Sequence, residues 1–145
     1  MPLFFAILAL ATVFVEMAFD VGREQRFEVS KTYAGALGAN MLVVRNALQT
    51  YLASHPSASG EILLANLGLP TWLNPQPGIR TYVQSGRGYV YFTPKEPISD
   101  LQTVLGGPAP FSVGIARDAQ LISPSLPSTT PLPPRIPNHS IVMVV

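Results

Sequence analysis

The sequence predicts an α+β protein in which an N-terminal membrane helix extends into an amphipathic helix packed on a small antiparallel sheet. Three observations carry that prediction. Residues 3–15 hold no charge, and their only polar side chain is Thr12. Met41, Val44, Leu48, Tyr51 and Leu52 recur at the three- and four-residue spacing of one helical face. IRTYVQ and YVYFT, rich in β-branched and aromatic residues, flank the turn sequence Ser85-Gly86-Arg87-Gly88.

The apolar start, MPLFFAILALATVFVEMAF, organises everything after it. As a helix, residues 3–19 would reach roughly 26 Å at about 1.5 Å per residue. A hydrocarbon core is about 30 Å thick, so residues 1–20 read as a short transmembrane anchor. A cleaved signal peptide is one rival. It needs a basic start and a small-x-small cleavage site, whereas Ala9-Leu10-Ala11 lies inside the apolar run. A buried core helix is the other rival.

Glu16 sets the kind of anchor, because a carboxylate inside a span is costly unless it is paired or near the interface. Either it sits at headgroup level within a turn of Asp20, or it pairs with a basic group of a neighbouring subunit. Glu16, Asp20, Glu24 and Glu28 recur at four-residue intervals, which aligns them along one side of a continuing helix. They form either a solvated face or an acidic stripe that docks on a basic partner helix. Like charges at this spacing destabilise a lone helix, which gives a partner something to relieve.

Residues 21–54 comprise a charged linker and the main helix, expected over 32–53. Pro56 disfavours helical geometry at His55 and leaves that histidine at an exposed helix end. Gly35 and Gly38 either loosen the start of the helix or let another backbone come close. Residues 55–123 are expected to form the α+β head with antiparallel hairpins. Within it, 57–68 reads as a short helix, with Ser59 as N-cap, Glu61 in the first turn and Gly68 as the stop. Trp72 follows in a loop with Pro70, Pro75 and Pro77, either capping the core or serving as an interface anchor.

A hairpin is expected over 79–93. Ser99 and Gln102 have capping-box spacing, so a short helix should follow them to about residue 105. FSVGIA and LIS, joined through Arg117-Asp118-Ala119-Gln120, form a second hairpin. Residues 124–145 begin as a proline-rich extended linker, read as a spacer or as a ligand for a partner's groove. They end in the apolar run Ile141-Val142-Met143-Val144-Val145. Left free, that run would be an aggregation hazard. It is expected to return to the sheet as an added strand, in this subunit or in a neighbour's.

Composition excludes several classes. The chain of 145 residues has no cysteine, hence no disulfide, thiolate chemistry or cysteine zinc site. A net charge of +1 gives no basic surface for nucleic acid. No Gly-x-Ser-x-Gly occurs, and the two histidines, His55 and His139, lack metal-ligand spacing. The turn Ser85-Gly86-Arg87-Gly88 precedes no helix and carries no Lys-Ser/Thr pair, which argues against a phosphate loop. No catalytic residue, cofactor, metal or small-molecule substrate is expected, and the chain reads as a non-enzyme.

The order MLVVRNALQTYLASHPSASGEI, LGLPTW, RGYVYF and VGIARDAQLISP, after an apolar start, resembles the PilM family encoded with thin-pilus (type IVB) systems of conjugative plasmids. The architecture is similar to that of type IV pilin-like proteins. The resemblance implies a non-enzymatic inner-membrane component of the pilus assembly apparatus or basal body. Its implied partners are the membrane, pilus assembly proteins or pilins, and further copies of itself. A prepilin has a basic leader ending in glycine and a glutamate early in the mature chain. This sequence has no such leader and places Glu16 at the far end of its run, so processing and polymerisation as a major pilin are not expected.

Arg23, Arg26 and Lys31 after the span would hold the head in the cytoplasm by the positive-inside rule. The pilin-like resemblance places it in the periplasm, the side taken here. The alternative to an assembly component is a membrane-tethered binding module for a peptide or envelope ligand, using Trp72 and a surface of Tyr82, Tyr89 and Tyr91.

Overall fold

Among the described residues, one α-helix lies on one face of a seven-stranded, wholly antiparallel sheet, and a proline-rich C-terminal segment covers much of the other face. The computed structural model describes residues 33–95, 113–124 and 129–145, and Ala34–Val145 form one compact unit. Helix α1 covers 33–54, close to the expected span. The strands are β1 (Gly60–Ile62), β2 (Ile79–Gln84), β3 (Arg87–Phe92), β4 (Val113–Arg117), β5 (Gln120–Ile122), β6 (Thr130–Pro131) and β7 (Ile141–Val144). Their spatial order is β1-β2-β3-β7-β4-β5-β6.

The alternation of side chains along strands assigns the two faces. On the helix side, Leu37, Met41, Val44 and Leu48 meet Ile79, Val83, Val90, Phe92, Val113, Ile141 and Met143. All are aliphatic except Met41, Met143 and Phe92, and all are buried. Gly88 lets the helix approach this closely. A Cβ there would lie 2.9 Å from Leu52 Cδ1 and 3.0 Å from Leu48 Cδ2. Gly35, a candidate for such an approach from the sequence, has nothing within 4 Å of its Cβ position. Arg45 ties helix to sheet by donating from Nε to the carbonyl of Val144 at 3.0 Å.

The run Ile141-Val142-Met143-Val144 is the central strand of this chain's own sheet. It pairs with β3 (Phe92 opposite Ile141) on one side and with β4 (Val113 opposite Met143) on the other. Of the two outcomes left open by the sequence, return to the same subunit is the one observed. The strand is interior and is not an addition at an edge. Both hairpins form. Ser85 and Gly86 (φ 54° and 75°) make the two-residue turn of β2–β3, and Asp118 and Ala119 (φ 51° and 57°) that of β4–β5. Leu132 N–H donates to the Ala119 carbonyl (2.8 Å) and Asn138 Oδ1 accepts from Asp118 N–H (3.0 Å), which holds that strained turn.

Two expectations change. Residues 57–68 are not one helix: Gly60–Ile62 pair with β2, and only Leu64–Leu67 coil, as a 3-10 turn. Leu63 stands at its N-cap without a side-chain cap, while Gly68 ends it in the left-handed conformation, as the stop signal implied. Pairing to Thr81, Tyr82 and Val83 outweighed the local capping signal at Ser59. The proline-rich stretch is not a spacer either. Thr130–Pro131 pair with β5, and Leu132 and Ile136 are buried against Tyr89, Tyr91, Ala116, Leu121 and Val142. Prolines suit this role because an edge segment lying on side chains needs few N–H donors.

Among the described residues, no helix is long and apolar enough to cross a membrane. The anchor assigned to 1–20, the stripe Glu16, Asp20, Glu24 and Glu28, and the short helix expected after Ser99 all lie outside them.

Candidate functional site

Three surface features of the head carry side chains that the core does not require. The first is Trp72. The sequence Pro70-Thr71-Trp72-Leu73 forms a tight turn in which Leu73 N–H donates to the Pro70 carbonyl at 3.0 Å. Leu73 packs against the core, whereas Trp72 points away and is 74% exposed. Trp72 therefore does not cap the core. Its neighbours Leu69 and Leu73 fill that place, and the indole is left as an exposed aromatic, the form an interface anchor takes. Leu63, 64% exposed, belongs to the same β1–β2 connection.

The second feature is ionic. Glu61 of β1 lies across β2 from Tyr89 in the register, and its carboxylate is 3.9 Å from Arg80 Nη1 and 3.6 Å from Arg135 Nη2. It thus clips the β1 edge to the proline-rich cover. Exposed pairs of this kind contribute about 0–1 kcal/mol, so the clip fixes position more than it stabilises. Burial, with Glu61 adding to it, holds the Tyr91 hydroxyl above its ordinary range, against the opposing pull of Arg80 and Arg135.

The third feature is a cleft of about 360 Å³ between the β2–β3 turn and the C-terminal segment. Gln84, Ser85 and Arg87 supply one wall and Pro131, Leu132, Pro133 and Pro134 the other, with Tyr89 completing the lining. The register puts Gln84 opposite Arg87 and Tyr82 opposite Tyr89. The surface of three tyrosines expected from the sequence is not present, because Tyr89 and Tyr91 are only 4% and 3% exposed beneath the cover. Tyr82 alone remains half-buried.

The structure therefore places one predicted partner-binding residue, Trp72, on the surface. The other four, Glu16, Asp20, Glu24 and Glu28, are outside the described residues. It does not bring Trp72 into the cleft. His55 is an exposed helix-end residue as expected, stacked on Tyr51 with ring centroids 4.3 Å apart. Among the described residues, no group of three or more His, Cys, Asp or Glu side chains could hold a metal. The cleft was hidden in the sequence, since Arg87 read as a turn residue and nothing local pairs it with Pro131.

Comparison with known proteins follows the same outline. The sequence model of the PilM family matches residues 6–144. The fold is similar to the crystal structure of a protein named PilM from Escherichia coli B7A, with 22% identity, TM-score 0.55, and coverage of 80% of this chain and 94% of that one. A protein named PilM from Pseudomonas aeruginosa 2192 matches with 27% identity and TM-score 0.45 over 77% of this chain and 92% of that one. No curated protein matches the sequence.

Proposed function

The chain belongs to the PilM family, a pilus-assembly-related family, and from that premise we propose that it is a non-enzymatic inner-membrane component of a type IV (thin) pilus assembly apparatus or its basal body, acting through protein–protein contacts. The observation that carries the reading is the family match itself. It begins inside the apolar start and runs to the last residue of β7, so anchor segment and head are matched together.

In this reading residues 1–20 anchor the chain as a single pass and the head stands in the periplasm. Trp72 and the acidic stripe Glu16, Asp20, Glu24 and Glu28 provide contacts to pilins, to assembly proteins or to further copies of the chain. The test is deletion of the gene followed by complementation. Loss of thin pili on deletion, restored by the wild-type chain, is expected. Full piliation of the deletion strain would sink the proposal. Glu16→Gln is expected to reduce co-purification with pilus assembly proteins while membrane insertion persists, and unchanged co-purification would remove the stripe from the account.

A second reading is a membrane-tethered module that binds a peptide or envelope ligand. The exposed Trp72 and the cleft beside Arg87 favour it. Normal pili in the deletion strain, together with a ligand retained by the purified chain, would select it.

A further inference from the structure

We propose that the cleft between the β2–β3 turn and Pro131, Leu132, Pro133 and Pro134 binds a peptide segment through an acidic side chain flanked by apolar residues. The argument begins with what the lining can offer. Arg87 presents donors only, and a guanidinium matches a carboxylate with two parallel hydrogen bonds. Among the described residues Arg87 has no carboxylate partner, unlike Arg80 and Arg135, which share Glu61.

Tyr89 supplies the second observation. Its side chain is 4% exposed and lines the cleft, yet its hydroxyl has no hydrogen-bond partner among the described residues. That hydroxyl is not one of the buried polar atoms left without a partner, so it reaches solvent at the cleft and can bond a ligand there. Ser85 and Gln84 add a further hydroxyl and amide at the rim. Arg87 can only donate, and the hydroxyls and the amide can donate as well as accept, so an acceptor is the one ligand group that all of them can meet, and the charge of Arg87 favours an anionic one.

The opposite wall decides against a bare inorganic anion. Pro131, Pro133 and Pro134 bring apolar ring surface and no N–H, and Leu132 adds an aliphatic side chain. An anion alone would leave that wall unused, whereas apolar residues beside a glutamate or aspartate would cover it. About 360 Å³ lies at the small end of the range for ligand pockets, room for a short piece of chain and not for a folded domain. Arg87 is the charged residue of the lining, and no acid is among the residues that line the cleft. An acidic side chain therefore meets an opposite charge there.

This inference rests on the lining alone, so its failure leaves the pilus reading standing, and the reverse also holds. The test is an amide NMR titration of the full chain in detergent micelles, with acetyl-Leu-Glu-Leu-amide, its Gln counterpart and sodium acetate as probes. The Glu peptide is expected to move the amides of Gly86, Arg87, Tyr89 and Leu132 and to bind more tightly than the other two probes. Arg87→Ala should weaken it roughly ten-fold, the scale of one charge-assisted contact. Tyr89→Phe should weaken it about five-fold, the scale of one hydrogen bond. Arg117→Ala, on a different strand, should leave it unchanged. Equal binding of the Gln peptide or of acetate, or a wild-type titration for Arg87→Ala, would overturn the proposal.

Discussion

The two faces of the sheet are built by opposite means. One face is covered by a helix whose contacts recur with the helical period and meet aliphatic side chains. The other is covered by an irregular, proline-rich segment that lies on two tyrosines, Ala116, Leu121 and Val142. Both faces bury their central residues, so both are core. The difference is that a helix announces its buried face through periodicity, whereas an irregular cover has no period to announce. Leu132 and Ile136 are buried as single residues between prolines, and each alone is indistinguishable from a linker residue.

Substitutions on the two faces can break this comparison or sharpen it. The largest effect is expected at Leu48, which is fully buried between the helix that carries it and the sheet. Leu48→Ala should cost about 2–5 kcal/mol, read as a drop in the urea midpoint with unchanged slope. Ile136→Ala should cost about 2 kcal/mol, the low end for such a truncation, because an irregular segment can partly collapse onto the space. A loss within about 0.5 kcal/mol, the level of an ordinary surface change, would return the proline-rich stretch to the status of a spacer.

Gly88→Val tests the closeness of the helix. The new side chain would press on Leu48, Leu52 and Val145, costing about 1–3 kcal/mol by overpacking. The smallest effect concerns Tyr91 on the other face. Its folded hydroxyl is raised, so as pH climbs past the ordinary tyrosine value of 10.0 the unfolded chain loses this proton first. Stability present below that pH is then lost on the alkaline side. Tyr91→Phe should flatten the decline measured by urea titration between pH about 9 and about 11, and a decline as steep as wild type would assign it to another group.

The same contrast explains what the sequence revealed. The main helix, both hairpins and the α+β class were legible, because periods of 3.6 and 2 survive in a single chain. The central position of β7 was legible only in part. An apolar run at a chain end had to pair with something, but pairing with both β3 and β4 depends on partners far away in sequence. Residues 57–68 misled because Ser59, Glu61 and Gly68 match helix signals that the β2 edge overrode. At the candidate sites, Trp72 was visible as a lone large aromatic among prolines, though not its exposure. The Arg87–Tyr89 cleft was invisible, since its second wall comes from the cover itself.

The central claim is that the C-terminal segment is core: a cover on one face that delivers the middle strand of the sheet. Amide hydrogen exchange of the full chain tests it most directly. The account predicts that Val142 and Met143 exchange as slowly as Val90 of β3, near the limit set by global unfolding. Exchange of β7 amides at the rate of a free tail, with β3 still protected, would contradict it.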